Sequence, residues 1–328
     1  MKRITIFTAF LTALIILHPG PTAAGEPPRA RIPVILDTDI GDDIDDTWAL
    51  GLLLKSPELD LKLVVGDQGK AQYRARLLAK FLERAGRTDV PVGIGLEINA
   101  KGEGAQAEWI KGYDLKSYPG KVHPDGVRAM IDLIMQSSEP VTVIAIGPLP
   151  NLAVALEREP KIAAKARLVG MHGSVRVGYD GSSNVAAEYN VKEDAKACQK
   201  VLSAVWDITI TPLDTCGLVS LKGEAYRQVR DAQNPVAVAI MENYRAWLAA
   251  QRSNLNIAQT HSSTLFDTVA VYLAFSQRWL KMEDLGIRVD NAGFTRLDPG
   301  AKVMHTATRW LDQSAYEKFL ANRLAEFR

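Results

Sequence analysis

The chain has 328 residues, 47% of them apolar and 23% charged, which is enough to bury a full core and is the composition of an ordinary soluble globular protein. Its formal charge of +1 argues against an electrostatic binder of nucleic acid or anionic membrane. No stretch beyond the N-terminus is long and apolar enough to suggest a bilayer span.

The first two dozen residues form a separate object. Lys2 and Arg3 precede the apolar run Ile4 to Leu17, then come Pro19, Pro21 and the small residues Thr22, Ala23 and Ala24. This is a secretory leader pattern, with residues 1–24 expected to be removed after Ala24 and residues 25–328 left as one exported, periplasmic or secreted domain. The apolar run is shorter than the roughly 20 residues a membrane anchor needs. Removal leaves 37 basic against 38 acidic residues. In an exported chain Cys198 and Cys216 could form one bridge, or stay as two buried thiols.

Apolar runs of strand length then alternate with stretches of helical period. Strands are predicted at Ile32 to Leu36, Leu61 to Val65, Val141 to Ile146, Arg167 to Met171 and Ile208 to Leu213. Helices are predicted at Trp48 to Leu54, Ala71 to Ala85, Val127 to Met135, Asn151 to Leu156 and Asp194 to Ala204. The alternation implies a mainly parallel sheet flanked by helices, a Rossmann-like α/β fold. From about Gly223 onward longer helices are expected (Val236 to Arg252, Phe266 to Phe275, Ser314 to Phe327), with short strands near Gly286 to Val289 and Val303 to Thr306. This C-terminal region reads as a helical cap over the active site.

Six aspartates lie within ten residues directly after the first strand, at Asp37, Asp39, Asp42, Asp43, Asp45 and Asp46. One or two could cap a helix through its dipole, but six exceed that need. Like charges this close are most readily offset by a bound cation, and hard cations such as calcium take six to eight oxygen ligands. Asp267, opening a later helix, is the best distant partner. An EF-hand does not fit, because Gly41 is fifth and Trp48 twelfth in the run and a strand precedes it. Strand followed by Asp-x-Asp also suggests a magnesium-dependent, HAD-like phosphatase with Asp37 as nucleophile. That rival expects Ser/Thr and Lys at later strand ends, where Ile146, Gly147 and His172 stand instead. Ligands of parallel sheets bind outside the carboxyl ends of the strands, where the aspartate run, Gly66 and Asp67, Ile146 to Pro148 and Met171 to Gly173 all fall.

The segment DTDIGDDIDDTWAL resembles the DTDPGxDDxxAL signature of the calcium-dependent nucleoside hydrolases. The resemblance continues in family order through VVGD, RTDVPVGIG, AIGPLPNLAVAL, AAEYNVKEDAKA and FDTVAVYLA. It implies hydrolysis of the N-glycosidic bond of nucleosides by a calcium-positioned water, with Asp39 activating that water. It further implies calcium ligands at Asp39, Asp46, the carbonyl of Ile146 and Asp267. Ribose contacts would come from Asp45, Glu188, Asn190 and Asn184, and Asp37 would stand behind them. A nucleoside substrate and a homodimer or homotetramer are implied as well. Direct inversion by water is expected over a covalent glycosyl enzyme.

The chain departs from the family pattern in several places. Ile40 replaces the usual Pro, and Asp42, Asp43 and Ile44 fill a gap where one residue is usual. Asp67 stands where Asn is common, putting a negative charge in place of a neutral ribose contact. Phe266 occupies the position of a His that protonates the leaving base in several members. His261 and His172 are alternative acids, and Trp247, Tyr244 and Phe266 are candidates to stack on a base. Phe266 and Asp67 also leave room for a non-catalytic exported nucleoside-binding protein.

Overall fold

The computed structural model describes residue 1, residues 30–98 and residues 102–327. The leader expectation falls on residues outside these. A compact unit spans Arg31–Arg328.

Its elements in chain order are β1 (Ile32–Thr38), α1 (Asp45–Leu54), β2 (Leu59–Gly66), α2 (Ala71–Arg84), β3 (Val92–Gly93), β4 (Val122–His123), α3 (Gly126–Gln136), β5 (Val141–Ala145), α4 (Pro150–Arg158), α5 (Ile162–Lys165) and β6 (Ala166–Met171). They continue with α6 (Tyr189–Glu193), α7 (Ala195–Leu202), β7 (Asp207–Thr211), α8 (Gly223–Arg230), α9 (Pro235–Ala250), α10 (Ile257–Thr260), α11 (Thr268–Leu273), β8 (Leu280–Val289), β9 (Thr295–Leu297), β10 (Val303–Trp310) and α12 (Gln313–Ala325).

Among the described residues the strands form a ten-stranded sheet in the order β4-β3-β2-β1-β5-β6-β7-β10-β8-β9. Pairing is parallel from β4 across to β10, and antiparallel only at β10–β8 and β8–β9. The mainly parallel α/β architecture expected from the alternating pattern is therefore present. Two core layers cover the sheet. Alternate residues of β1 serve opposite sides: Val34 and Leu36 join Trp48 of α1, Leu78 of α2 and Val269 of α11, while Ile35 joins Val127 of α3, Leu152 of α4 and Cys198 of α7. This two-sided burial is why the central strands β1 and β5 read as mostly apolar, Val- and Ile-containing runs.

The C-terminal third is less purely helical than expected. β8 begins at Leu280 rather than near Gly286, β10 runs on to Trp310, and β9 is an added edge strand. β8 carries Lys281, Glu283 and Asp284 and is half-exposed, so no clean alternation marks it. α9 still carries Trp247 to the cavity described below.

The chain runs outward from β1 through β2, β3 and β4, then returns to β5 on the other side of β1. The order reverses between β1 and β5, and there the crevice forms.

Candidate active site

A cavity of about 270 Å³ opens at this switch point, lined by Asp39, Asp42, Asp43, Asp45, Asp46 and Asp267, by Ile146, Met171, Glu188 and Asn190, and by Tyr179, Tyr189, Trp247, Gln251 and Phe266. Its lining is drawn from separate stretches of chain, with Asp39 and Asp267, 228 residues apart, at the extremes.

The aspartate loop is shaped by its own polar atoms. Thr38 Oγ1 donates to Asp46 Oδ1, and Ile40 N–H donates to Thr38 Oγ1 at 3.2 Å. Gly41 turns at φ 123°, with Tyr73 and Leu77 packed where a side chain would stand. Beneath the loop lies Arg74, which is fully buried. Its guanidinium donates to the carbonyls of Asp39, Ile40 and Gln68 and to Asp42 Oδ2, which lies 3.0 Å away. Lys70 Nζ meets Asp42 Oδ1 at 2.6 Å. Asp42 is thus a structural anchor for the lengthened motif, and its partners are spent on the loop's outer side. An arginine on an amphipathic helix reads as a surface residue, so the sequence conceals this role.

On the cavity floor, oxygens of Asp45, Asp46 and Asp267 lie within 4.8 Å of one another, all buried. Asp39 lines the same cavity but stands outside that triplet. Burial, and then mutual repulsion, holds the carboxyls of Asp45, Asp46 and Asp267 well above the usual carboxylate range. Burial pushes Asp39 up to about 7, although the charge of Arg74 pulls the other way. So many buried carboxyls facing one space, with the guanidinium of Arg74 committed elsewhere, fit a hard divalent cation with oxygen ligands. The donor chemistry agrees: Asp39, Asp46, Asp267 and the Ile146 carbonyl are all oxygen donors, and both cysteines are buried free thiols outside the cavity lining.

A hydrogen-bonding clamp stands beside the floor. Glu188 accepts from the backbone N–H groups of Gly173 (2.9 Å), Asn190 (2.7 Å) and Val191 (3.2 Å), and burial still raises its carboxyl to about 7. Asn190 Nδ2 donates to the carbonyls of Met171 (3.1 Å) and Ile146 (3.3 Å), tying the clamp to the end of the strand beside the floor.

Not every expected residue is brought in. Asn184 is exposed in the loop before Glu188 and is not part of the lining, because the backbone there bends back toward Gly178. Asp37 is fully buried behind the floor, accepts from Asn151 Nδ2 at 2.8 Å and does not line the cavity. It cannot reach a substrate as a nucleophile, which removes the physical basis of the phosphatase alternative. Asp67 is equally buried. Its carboxylate accepts from Leu149 N–H (2.9 Å) and Asn151 N–H (3.4 Å), capping α4 rather than meeting a sugar. His172 is buried with Nε2 on the Gly147 carbonyl at 2.9 Å, and burial lowers its pKa to about 4. His261 bonds Thr260 through Nδ1, and neither histidine lines the cavity. Tyr244 is buried behind Trp247, whereas Trp247 and Phe266 do line it. Tyr179, Tyr189 and Gln251 join them without having been expected. Tyr189 lies between two residues that the motif does mark, and that neighbourhood was its one signal.

A buried oxygen-donor set at the switch point of an α/β sheet, with a polar clamp beside it, defines a class of protein that brings a hard cation and a hydroxyl-rich ligand together. A family model described as inosine-uridine preferring nucleoside hydrolase matches residues 34–320, and the chain belongs to that family. It is 29% identical over 322 residues to the pyrimidine-specific ribonucleoside hydrolase RihA of Enterobacter sp. (strain 638), covering 90% of this chain and 98% of that one. The RihA of Escherichia coli O17:K52:H18 is 27% identical over 321 residues, covering 89% and 98%. Among solved structures, a plant nucleoside hydrolase, the PpNRh1 enzyme, superposes with TM-score 0.75 at 21% identity over 91% of this chain and 100% of its own. A purine-preferring ribonucleoside hydrolase from Gardnerella vaginalis gives 0.72 at 22% identity over 89% and 98%.

Proposed function

We infer that the chain hydrolyses the N-glycosidic bond of ribonucleosides, releasing free base and ribose, with calcium held by Asp39, Asp46, Asp267 and the Ile146 carbonyl. The observation that carries this is the convergence of the motif's carboxylates with Asp267 and the Glu188–Asn190 clamp on one cavity. Family membership supports the same reaction and neither alternative, and the burial of Asp37 away from the cavity leaves the phosphatase rival without a nucleophile.

Bond cleavage passes through an oxocarbenium-like sugar, so negative charge near the ring and a positioned water are what the site must supply. The chemistry calcium supplies when bound is a positive charge that draws the sugar diol and lowers the pKa of an adjacent water. Asp39 receives the proton of the attacking water, its carboxyl being buried and open to the cavity. Asp45, Glu188 and Asn190 hold ribose hydroxyls. Glu188 keeps one geometry because three backbone N–H groups grip its carboxylate. The other side chains of the lining keep bulk water from the reacting carbon. Inversion by water fits a floor in which no carboxylate has been set apart as a nucleophile.

The test is release of base and reducing sugar from inosine, uridine, adenosine and cytidine, each with calcium and with chelator. Turnover confined to the calcium arm is expected, and full turnover under chelation would contradict the reading. The basic, apolar and small-residue leader supports export, which N-terminal sequencing of the mature protein checks: a start near Gly25 is expected, and an intact Met1 in the exported fraction would overturn it.

A further inference from the structure

Above the sugar-binding floor the cavity wall has its own chemistry. Tyr179 and Tyr189 keep 37% and 48% of their surface exposed, in a chain that buries most of its large rings. They are fixed to each other, since Tyr189 N–H donates to Tyr179 Oη at 2.8 Å, and Tyr179 meets Phe266 edge to face at 6.2 Å. Trp247 belongs to a second linked group, its indole N–H donating to the Asp42 carbonyl at 3.1 Å. Next to Asp42 stands Asp43, one of the two residues that lengthen the motif. Its backbone is held by Gln106 Nε2 at 2.9 Å, and one carboxylate oxygen accepts from Ile44 N–H at 2.7 Å. Among the described residues no ion pair involves Asp43, and the cavity lining contains no histidine, lysine or arginine.

Two consequences follow. Asp43 is exposed at the cavity, and a carboxylate without a cation partner that lines one cavity with the aromatic rings of Tyr189 and Trp247 is a receptor for positive charge. Meanwhile Phe266 has no proton to give a departing base, and burial together with Glu188 raises the pKa of Tyr179 and makes its hydroxyl a poor donor.

We propose that the favoured substrates are ribonucleosides whose base carries a fixed positive charge, of the N-ribosylpyridinium or 7-alkylpurinium type, with Asp43, Tyr189 and Trp247 recognising that charge. This rests on the hydrolase reading above. In the reaction water oxygen bonds to the anomeric carbon, and the carbon–nitrogen bond breaks with its electron pair moving to the base nitrogen. The cationic ring is thereby neutralised and leaves without being protonated, while the water proton passes to Asp39. A neutral base would leave as an anion unless an acid met it, and the cavity wall offers Phe266 there. The lengthened motif and the lost histidine thus serve one substrate class.

The experiment compares 7-methylguanosine, guanosine and p-nitrophenyl β-D-riboside on the calcium-loaded full chain, each rate corrected for spontaneous hydrolysis. The kcat/KM ratio of 7-methylguanosine to guanosine is expected to be roughly a hundredfold or more. It should fall about tenfold in Asp43→Asn, and Phe266→His should narrow it by raising guanosine turnover. A wild-type ratio near one, or an Asp43→Asn ratio equal to wild type in a variant of unchanged melting temperature, overturns the proposal. Cleavage of the nitrophenyl riboside with no such preference overturns this proposal and leaves the hydrolase reading standing. Failure of all three substrates overturns both.

Discussion

β1 and β2 are neighbouring parallel strands, and the loops that leave their carboxyl ends treat buried carboxylates in opposite ways. After β2, Asp67 is enclosed and finds backbone donors at the start of α4. After β1, Asp39, Asp45 and Asp46 are as deeply buried but face a cavity, and two of them meet another carboxylate, that of Asp267. Burial raises the pKa on both sides. The difference lies in what faces each group: backbone donors for Asp67, an open cavity for the aspartates after β1, where the proposed ion would complete the shell. A buried carboxylate left for a ligand marks function, and one already satisfied marks architecture.

The sharpest way to break this comparison is to remove a carboxylate from each side. Asp39→Asn should cost about 10²- to 10⁴-fold in kcat, the range of a lost general base, and Asp46→Ala should lose both hydrolysis and calcium. Steady-state kinetics with metal analysis of the purified variants decides it, and unchanged turnover in either would remove that residue from the site.

The next effect is on stability against pH. Asp39 and Glu188 both titrate near 7 in the folded chain, above the ordinary carboxyl value of about 4. Between those values these two groups hold protons in the metal-free folded chain that the unfolded chain has released, so their contribution to stability is full at low pH and is lost as pH rises from about 4 to about 7. Calcium binds the ionised carboxylates and should reverse this, adding about 2.7 kcal/mol at a hundredfold excess over its Kd. Thermal melts across this range with and without calcium check the sign. A metal-free melting temperature that climbs through the window would show that the floor is not a repulsive cluster.

On the other side of the comparison, Asp67→Ala should leave calcium binding in place and cost about 1–3 kcal/mol of stability, the penalty for stranding buried N–H donors. Urea unfolding measures it. Loss of calcium without loss of stability would mean that Asp67 belongs with the floor. Smallest of all, Asn184→Ala should change kcat/KM by less than about twofold, since an exposed side chain outside the cavity makes no contact that differs in the transition state.

The sequence reveals the parallel half of the sheet well, because strands covered on both faces are largely apolar, as Val34–Leu36 of β1, Val143–Ala145 of β5 and Leu168–Val169 of β6 are. It is nearly silent on β3 and β4, two residues each, and on β8, whose exposed face breaks the alternation. The floor is legible through the motif, since so many aspartates in one turn have few physical explanations. That Asp267 closes over Asp45 and Asp46 is a matter of tertiary packing, which the sequence reports through the resemblance of FDTVAVYLA rather than through periodicity. Arg74 and Asp67 go the other way: their types suggest a surface charge and a sugar contact, and burial turns each into scaffold. Of the aromatic wall, the sequence offers Trp247 and Phe266, while Tyr179 stays hidden because it lies in a short turn with no periodicity to expose it.

Calcium titration of the metal-free chain by calorimetry, run beside Asp46→Asn, tests the central claim most directly. One ion per chain is expected, bound with release of protons near pH 6 because burial pushes the Asp39 carboxyl up to about 7, and the heat should vanish in the variant. Absence of binding by the wild-type chain, or an identical isotherm for Asp46→Asn, would contradict it.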